Sequence, residues 1–301
     1  MTSLPDLKSF TEALAQDTLA ALAAKSAPAL AALEERRHQL LAQHLGFAPR
    51  RPIAPVYVVG DSHTLFFSGE DGMHQVKHRR VGLWRPRYIT RGLDLLPCFR
   101  TRHLGPATAW RAFDHGSSTR GREKIDALLR YELKPEDRVL LSFGEIDCRC
   151  HIPKLVMTGT SVPDAVRPTI DRLLKLATHL QSRGLQVAFW GPAVITARSQ
   201  TKNGHPLPVV GTFELRSQIA RAFGAALHES CLEQNIPGVC LAGMYHDWNK
   251  PAAPEFFSDG FHLSQRLMPQ ALKALLDTGV FPLQTTTAMR PNTSPRPTPC
   301  S

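Results

Sequence analysis

Three largely apolar runs set the frame for this chain: PVYVVG at 55–60, VLLSF at 139–143 and LQVAFW at 185–190, with a weaker fourth at Val239–Leu241. A strand with water on one face alternates apolar and polar residues. These runs do not alternate, so each strand is expected to be covered on both faces. Between them lie stretches of helical periodicity near 122–132, 163–183 and 212–235, and a last one near 264–277. Buried strands separated by helices predict an α/β fold, with a mostly parallel sheet between two helical layers. Residues 73–104 are less regular and are expected to add one more strand plus loops.

Ahead of this domain, residues 5–45 read as a helical hairpin. Leu7, Phe10, Leu14, Leu19 and Leu22 recur at helical spacing, and a second stripe of Leu30, Leu33, Leu40, Leu41 and Leu45 follows Pro28. Gly46 and the Pro/Arg stretch after it end the pair. Either a packing cap or a dimerisation element fits this pattern. The expected division is therefore a helical segment at 1–50, a main domain at 51–283 and a Pro/Thr/Ser-rich tail at 284–301 whose composition reads as disordered.

Composition is that of an ordinary globular protein, with 43% hydrophobic and 21% charged residues, so a normal core can form. The net charge of +10 is concentrated: residues 51–130 hold 14 basic and 7 acidic residues, among them Arg79, Arg80, Arg85, Arg87, Arg91, Arg100, Arg102 and Arg111. Such a region is either a solvated surface or a face that attracts anionic groups. No common nucleic-acid-binding motif accompanies it, so no nucleic-acid partner is expected. The six cysteines show no disulfide framework. Asp6, Glu12 and Asp17 interrupt any signal-peptide pattern, and no apolar run is long enough to span a membrane. A reduced, cytoplasmic protein is the expectation.

Ligands of an open parallel sheet bind outside the carboxyl ends of its strands. After the first strand comes Gly60-Asp61-Ser62-His63, and after VLLSF comes Gly144-Glu145-Ile146-Asp147-Cys148-Arg149. Just before the last helix comes Asp259-Gly260-Phe261-His262. Serine needs a neighbouring base to become a nucleophile, and the base needs a third group to orient it. Ser62 at a strand end, with a carboxylate and an imidazole three residues apart in Asp259 and His262, supplies all three. Cys148, Cys150 and His151 do not match zinc-ligand spacing, so no metal and no cofactor is expected.

Gly60-Asp61-Ser62 after the first strand, with Asp259-x-x-His262 near the end, resembles the first and last signature blocks of the SGNH (GDSL-like) hydrolase superfamily. The resemblance spans about residues 53–278. It implies a flavodoxin-like three-layer α/β/α sandwich and a serine ester hydrolase working through an acyl-enzyme, with a carbohydrate-type O-acyl or O-acetyl ester favoured. An O-acyltransferase with the same residues, or a non-catalytic binding protein of this fold acting in polysaccharide biosynthesis, are the alternatives. The substrate or its carrier is expected to be a small molecule or a glycan, and the arginines around 79–111 hint that it is anionic. By the resemblance, the oxyanion hole combines the backbone N–H of Ser62, that of Gly105 and an asparagine from a third block. That block aligns with Gly144–Asp147, where Ile146 stands at the asparagine position and cannot donate. Arg149 or His151 are candidate substitutes, and Asp147 with Arg149 reads equally well as an ion pair holding the loop. Asp61, His63, Gly144, Glu145, Asp147, Arg149 and His151 are the residues expected to line the site.

Overall fold

The computed structural model of the chain describes residues 7–49, 53–82, 87–192, 195–197, 207–245 and 247–280. The expected tail at 284–301, and Arg85 of the basic region, lie outside the described residues.

The N-terminal helices are α1 (Leu7–Ala23), α2 (Ala27–Ala32) and α3 (Glu34–Leu45). The break falls earlier than Pro28, at Ala24–Ser26, where Lys25 takes the left-handed conformation (φ 51°). Ser26 then caps α2 by accepting from the Ala29 N–H at 3.2 Å. Pro28 sits in the first turn of α2, where its missing N–H costs nothing, so it starts a helix here instead of ending one. Leu14, Leu40 and Leu41 are fully buried, and α3 packs on the last helix of the chain.

Among the described residues seven strands form one sheet: β1 (Val56–Gly60), β2 (Val76–Val81), β3 (Arg87–Arg91), β4 (Phe99–His103), β5 (Arg138–Ser142), β6 (Gln186–Trp190) and β7 (Gly238–Val239). Their order is β2-β3-β4-β1-β5-β6-β7. The five parallel strands thus run second, first, third, fourth, fifth, which is the flavodoxin-like order. Helix α4 (Gly121–Tyr131) follows β4. The segment after β5 carries α5 (Ile152–Met157) and α6 (Val162–Gln181), and α7 (Phe213–Glu233) leads into β7. These crossovers all step the same way across the sheet, so right-handed connections put α4, α6 and α7 on one face, where α6 packs on α7. After α8 (Ala242–Tyr245), α9 (Met268–Asp277) covers the other face with α3 against it. No helix among the described residues is long and apolar enough to cross a membrane.

The region 73–104 holds three strands instead of the one expected. β2 and β3 form an antiparallel hairpin that joins β4 through Thr90 opposite His103. Because β3 runs against β4, Arg87–Ile89 lie past the carboxyl end of β4. The hairpin therefore stands about 10 Å above that rim, at ~3.3 Å per residue.

The turn after β1 is anchored by its own aromatic residues. Ser62–Ser68 form a short 3₁₀ helix that buries Phe66 and Phe67. The Phe67 ring lies 4.9 Å from both Phe99 and Trp190, and Phe66 lies 6.1 Å from Trp190. Each such burial stabilises by roughly 1.5–3 kcal/mol. Ser62 therefore sits on a platform pinned to the sheet.

Candidate active site

The direction of strand addition reverses at β1, between β4 and β5, which makes the carboxyl end of β1 the switch point where such sheets bind ligands. The two strands come very close there. A Cβ on Gly60 would lie 1.7 Å from the Ser142 carbonyl oxygen, so only glycine fits. Asp61 then donates its N–H to Ser142 at 3.1 Å and caps the following turn, its Oδ1 accepting from the His63 N–H at 2.9 Å. Ser62 is the first residue of that turn.

Residues 256–264 form a tight loop. Phe257 and Leu263 form an antiparallel bridge, and the Ser258 N–H donates to the His262 carbonyl at 2.8 Å. The loop tip presents Asp259 and His262. Asp259 Oδ1 accepts from the Phe261 and His262 backbone N–H groups, both at 3.0 Å, and Asp259 Oδ2 lies 2.8 Å from His262 Nδ1. His262 Nε2 lies 2.7 Å from Ser62 Oγ. Burial works to raise the Asp259 carboxyl, but the hydrogen bonds from His262 and the loop backbone outweigh it and hold it well below the usual carboxylate range. The two loops are tied together by Gln265, a residue the sequence reading missed. Its N–H donates to Asp71 at 2.7 Å and its side-chain amide to the Phe66 carbonyl at 2.6 Å.

Gly105 follows β4, next to β1. The Leu104 N–H reaches the Gly60 carbonyl at 2.8 Å, and Gly105 takes φ 85°. Among the described residues, neither the Ser62 nor the Gly105 N–H has a hydrogen-bond acceptor.

The loop after β5 departs from expectation. Arg149 does not pair with Asp147. It forks onto Glu145, with Nε at 2.6 Å and Nη2 at 3.2 Å, and its Nη1 donates to the Leu207 carbonyl at 2.8 Å. Its guanidinium lies 5.2 Å above the Phe261 ring. Asp147 instead accepts from the Ala109 and Trp110 N–H groups at 2.7 and 3.2 Å. Each Arg149 nitrogen has an acceptor and His151 is exposed, so neither stands as a ready substitute for the missing asparagine. Ile146 is buried. Gly144 takes φ 110°, and a Cβ there would strike the Phe223 ring. His63 is buried with its ring centroid 4.8 Å from that of His262 and its Nε2 3.6 Å from Glu145 Oε2.

Three buried carboxyl groups on the loops after β1 and β5 thus fall into two states. Burial opposes ionisation of Glu145, but His63 and Arg149 hold it down at about 2. Burial pushes Asp61 up to about 7 despite the His63 N–H, with the Glu145 charge adding to the rise, and its Oδ2 has no hydrogen-bond partner. Burial likewise pushes Asp147 up to about 7 against its two backbone N–H donors. A carboxyl raised in the folded state binds a proton that the unfolded chain has already released. Its stabilising contribution is complete below the ordinary value and is lost as pH rises through the folded one. Asp61→Asn keeps the Oδ1 acceptor and removes the titration. Wild-type stability relative to this variant should therefore fall as pH rises from about 4 to about 7, then level off. Urea unfolding of both proteins at pH 5 and 7.5 reads this directly, and an unchanged difference would contradict the assignment.

The basic region is largely spent within the fold. Arg102 is buried and paired with Glu132, and Arg100 donates to the Pro97 and Phe99 carbonyls. Arg79 lies over Tyr131, Arg91 pairs with Asp94 and Arg111 with Asp114, while Arg87 is exposed at the rim.

No family model and no curated protein matches the chain. Among solved structures it is similar to a protein assigned as an acylhydrolase from Bacteroides fragilis, at 13% identity over 80% of this chain and 96% of that one, with a TM-score of 0.44. It is also similar to a GDSL-like lipase from Bacteroides thetaiotaomicron, at 11% identity over 81% and 96% with a TM-score of 0.40. A third is the psychrotrophic esterase EstA from Pseudoalteromonas sp., at 13% over 74% and 95% with a TM-score of 0.38. These overlaps are loose, and the fold assignment rests on the strand order and registers above.

Proposed function

We propose that this chain is a serine ester hydrolase. The observation that carries the reading is the chain of contacts from Ser62 Oγ to His262 Nε2 at 2.7 Å and from His262 Nδ1 to Asp259 Oδ2 at 2.8 Å. His262 takes the Ser62 proton as Oγ attacks the ester carbonyl carbon. Asp259 fixes the ring so that Nδ1 carries the other proton. The tetrahedral oxyanion needs donors aimed at it, and the free N–H groups of Ser62 and Gly105 support that role. Collapse breaks the ester C–O bond, the alcohol leaves with the proton from His262, and water then releases the acid by the same route. A short O-acyl ester of a carbohydrate is the substrate class the motif resemblance favours.

Ile146 favours a second reading. It removes the side-chain donor, and losing one such donor costs about 2.7–4 kcal/mol of transition-state stabilisation. A non-catalytic binding protein would tolerate that loss. A fluorophosphonate probe separates the two. A catalytic Ser62 is expected to be labelled in the wild type, with labelling abolished in Ser62→Ala. A folded wild-type protein that takes up no label overturns the esterase reading.

A further inference from the structure

The sequence places Lys124 in the middle of α4 with nothing to mark it, yet the residue is only 3% exposed. Its ammonium donates to the Leu104 carbonyl. Among the described residues no carboxylate lies within ion-pairing distance. An ammonium has three donors, and among the described residues two of them have no protein acceptor. Burial, followed by the nearby Arg87 charge, lowers this amine to about 8, so it is still mostly charged at neutral pH. A buried charge without a counter-ion is costly.

Two further observations give the ammonium an opening. Gly105, beside Leu104, has no side chain, and the position its Cβ would take has the Lys124 Nζ at 3.5 Å; apart from the chain neighbours Leu104 and Pro106, no other heavy atom of the described residues lies within 4 Å. The gap over Gly105 therefore faces the ammonium. Arg87 stands on the part of the β2–β3 hairpin that rises past the rim; among the described residues its guanidinium makes one long hydrogen bond, of 3.4 Å to the Ser118 carbonyl. Leu104, whose carbonyl holds the Lys124 ammonium, gives its N–H to the Gly60 carbonyl at 2.8 Å, two residues before Ser62, which ties the ammonium to the site.

We propose that Lys124, with Arg87 at its mouth, forms an anion subsite over Gly105 that takes a carboxylate or phosphate group carried on the ester substrate. Its use in catalysis rests on the esterase reading; its affinity for an anion does not.

Two measurements test it. Inorganic phosphate is titrated calorimetrically into the wild type, Lys124→Gln and Arg87→Gln, with folding checked by near-ultraviolet circular dichroism. Glutamine keeps a donor for the Leu104 carbonyl while removing the charge. Binding should weaken at least tenfold in each variant. Should Lys124→Gln fail to fold, Arg87→Gln, which alters an exposed side chain, decides. The second measurement is the kcat/KM ratio for the 4-nitrophenyl monoester of succinic acid over 4-nitrophenyl acetate. The ratio should fall at least tenfold in the variants. A purely structural Lys124 would lower both esters together and leave the ratio alone, and that result, or phosphate binding that is absent or unaffected, overturns the subsite. If the wild type cleaves neither ester and Ser62 takes no label, the esterase reading fails, and the phosphate titration still decides the anion site.

Discussion

Replacing His262 with alanine should lower kcat/KM for an ester substrate by about 10⁴-fold or more, and adding Ser62→Ala should cost little beyond that, because serine and base act as one unit. The two groups meet at 2.7 Å, so the proton has one place to go. What survives should be the weak catalysis of positioned backbone donors. Asp259→Asn should cost much less than the ~10⁴-fold seen where the orienting carboxylate is buried. The Asp259 side chain is 51% exposed, so water already screens much of its effect on the imidazolium. Its loop hydrogen bonds also hold His262 in place through backbone groups that asparagine can still accept. Steady-state kinetics on 4-nitrophenyl acetate checks the series. Equal losses at Asp259 and His262 would contradict the screening argument, and full activity in His262→Ala would overturn the assignment of the base.

The parts of this molecule that could be read from sequence are those whose cause is local. β1, β5 and β6 carry apolar runs because both faces are covered, and Asp259 and His262 announce themselves because three residues of loop bring them together. β4 could not be read. Its sequence, FRTRH, looks like surface, yet Arg102 is buried by pairing with Glu132, thirty residues away, and Thr101 is held by Asp94. Gln265 escaped notice for the same reason: its partners Asp71 and Phe66 lie almost two hundred residues back. The expected Asp147–Arg149 pair fails on helical geometry. Residues two apart on a helical turn point in different directions, whereas Glu145 and Arg149, four apart, share a face. Sequence proximity suggested the wrong partner, and periodicity supplies the right one.

That pairing should make the loss of Arg149 strongly destabilising. Methionine at 149 would keep much of the volume and the packing over Phe261. It would also strip the buried Glu145 carboxylate of its guanidinium partner, leaving it His63 Nε2 at 3.6 Å. Removing one partner of a buried pair costs about 3–5 kcal/mol, and most of that is the penalty on the charge left behind. Two consequences separate this cause from lost packing. Glu145→Gln added to Arg149→Met should recover a large part of the deficit, since the amide carries no charge to desolvate. The pH dependence should also weaken. In the wild type Glu145 is held at about 2, so its contribution is present above its ordinary value of 4.5 and lost as pH falls towards 2. Without Arg149 the carboxyl loses part of what holds it down and rises from about 2 towards that ordinary value. The variant then loses less stability to acid than the wild type, so its deficit should shrink between pH 6 and pH 3. Urea unfolding midpoints for the wild type, the single and the double variant at both pH values test this. A deficit that stays constant with pH and survives the double substitution would mean that packing, and not the buried charge, sets the cost.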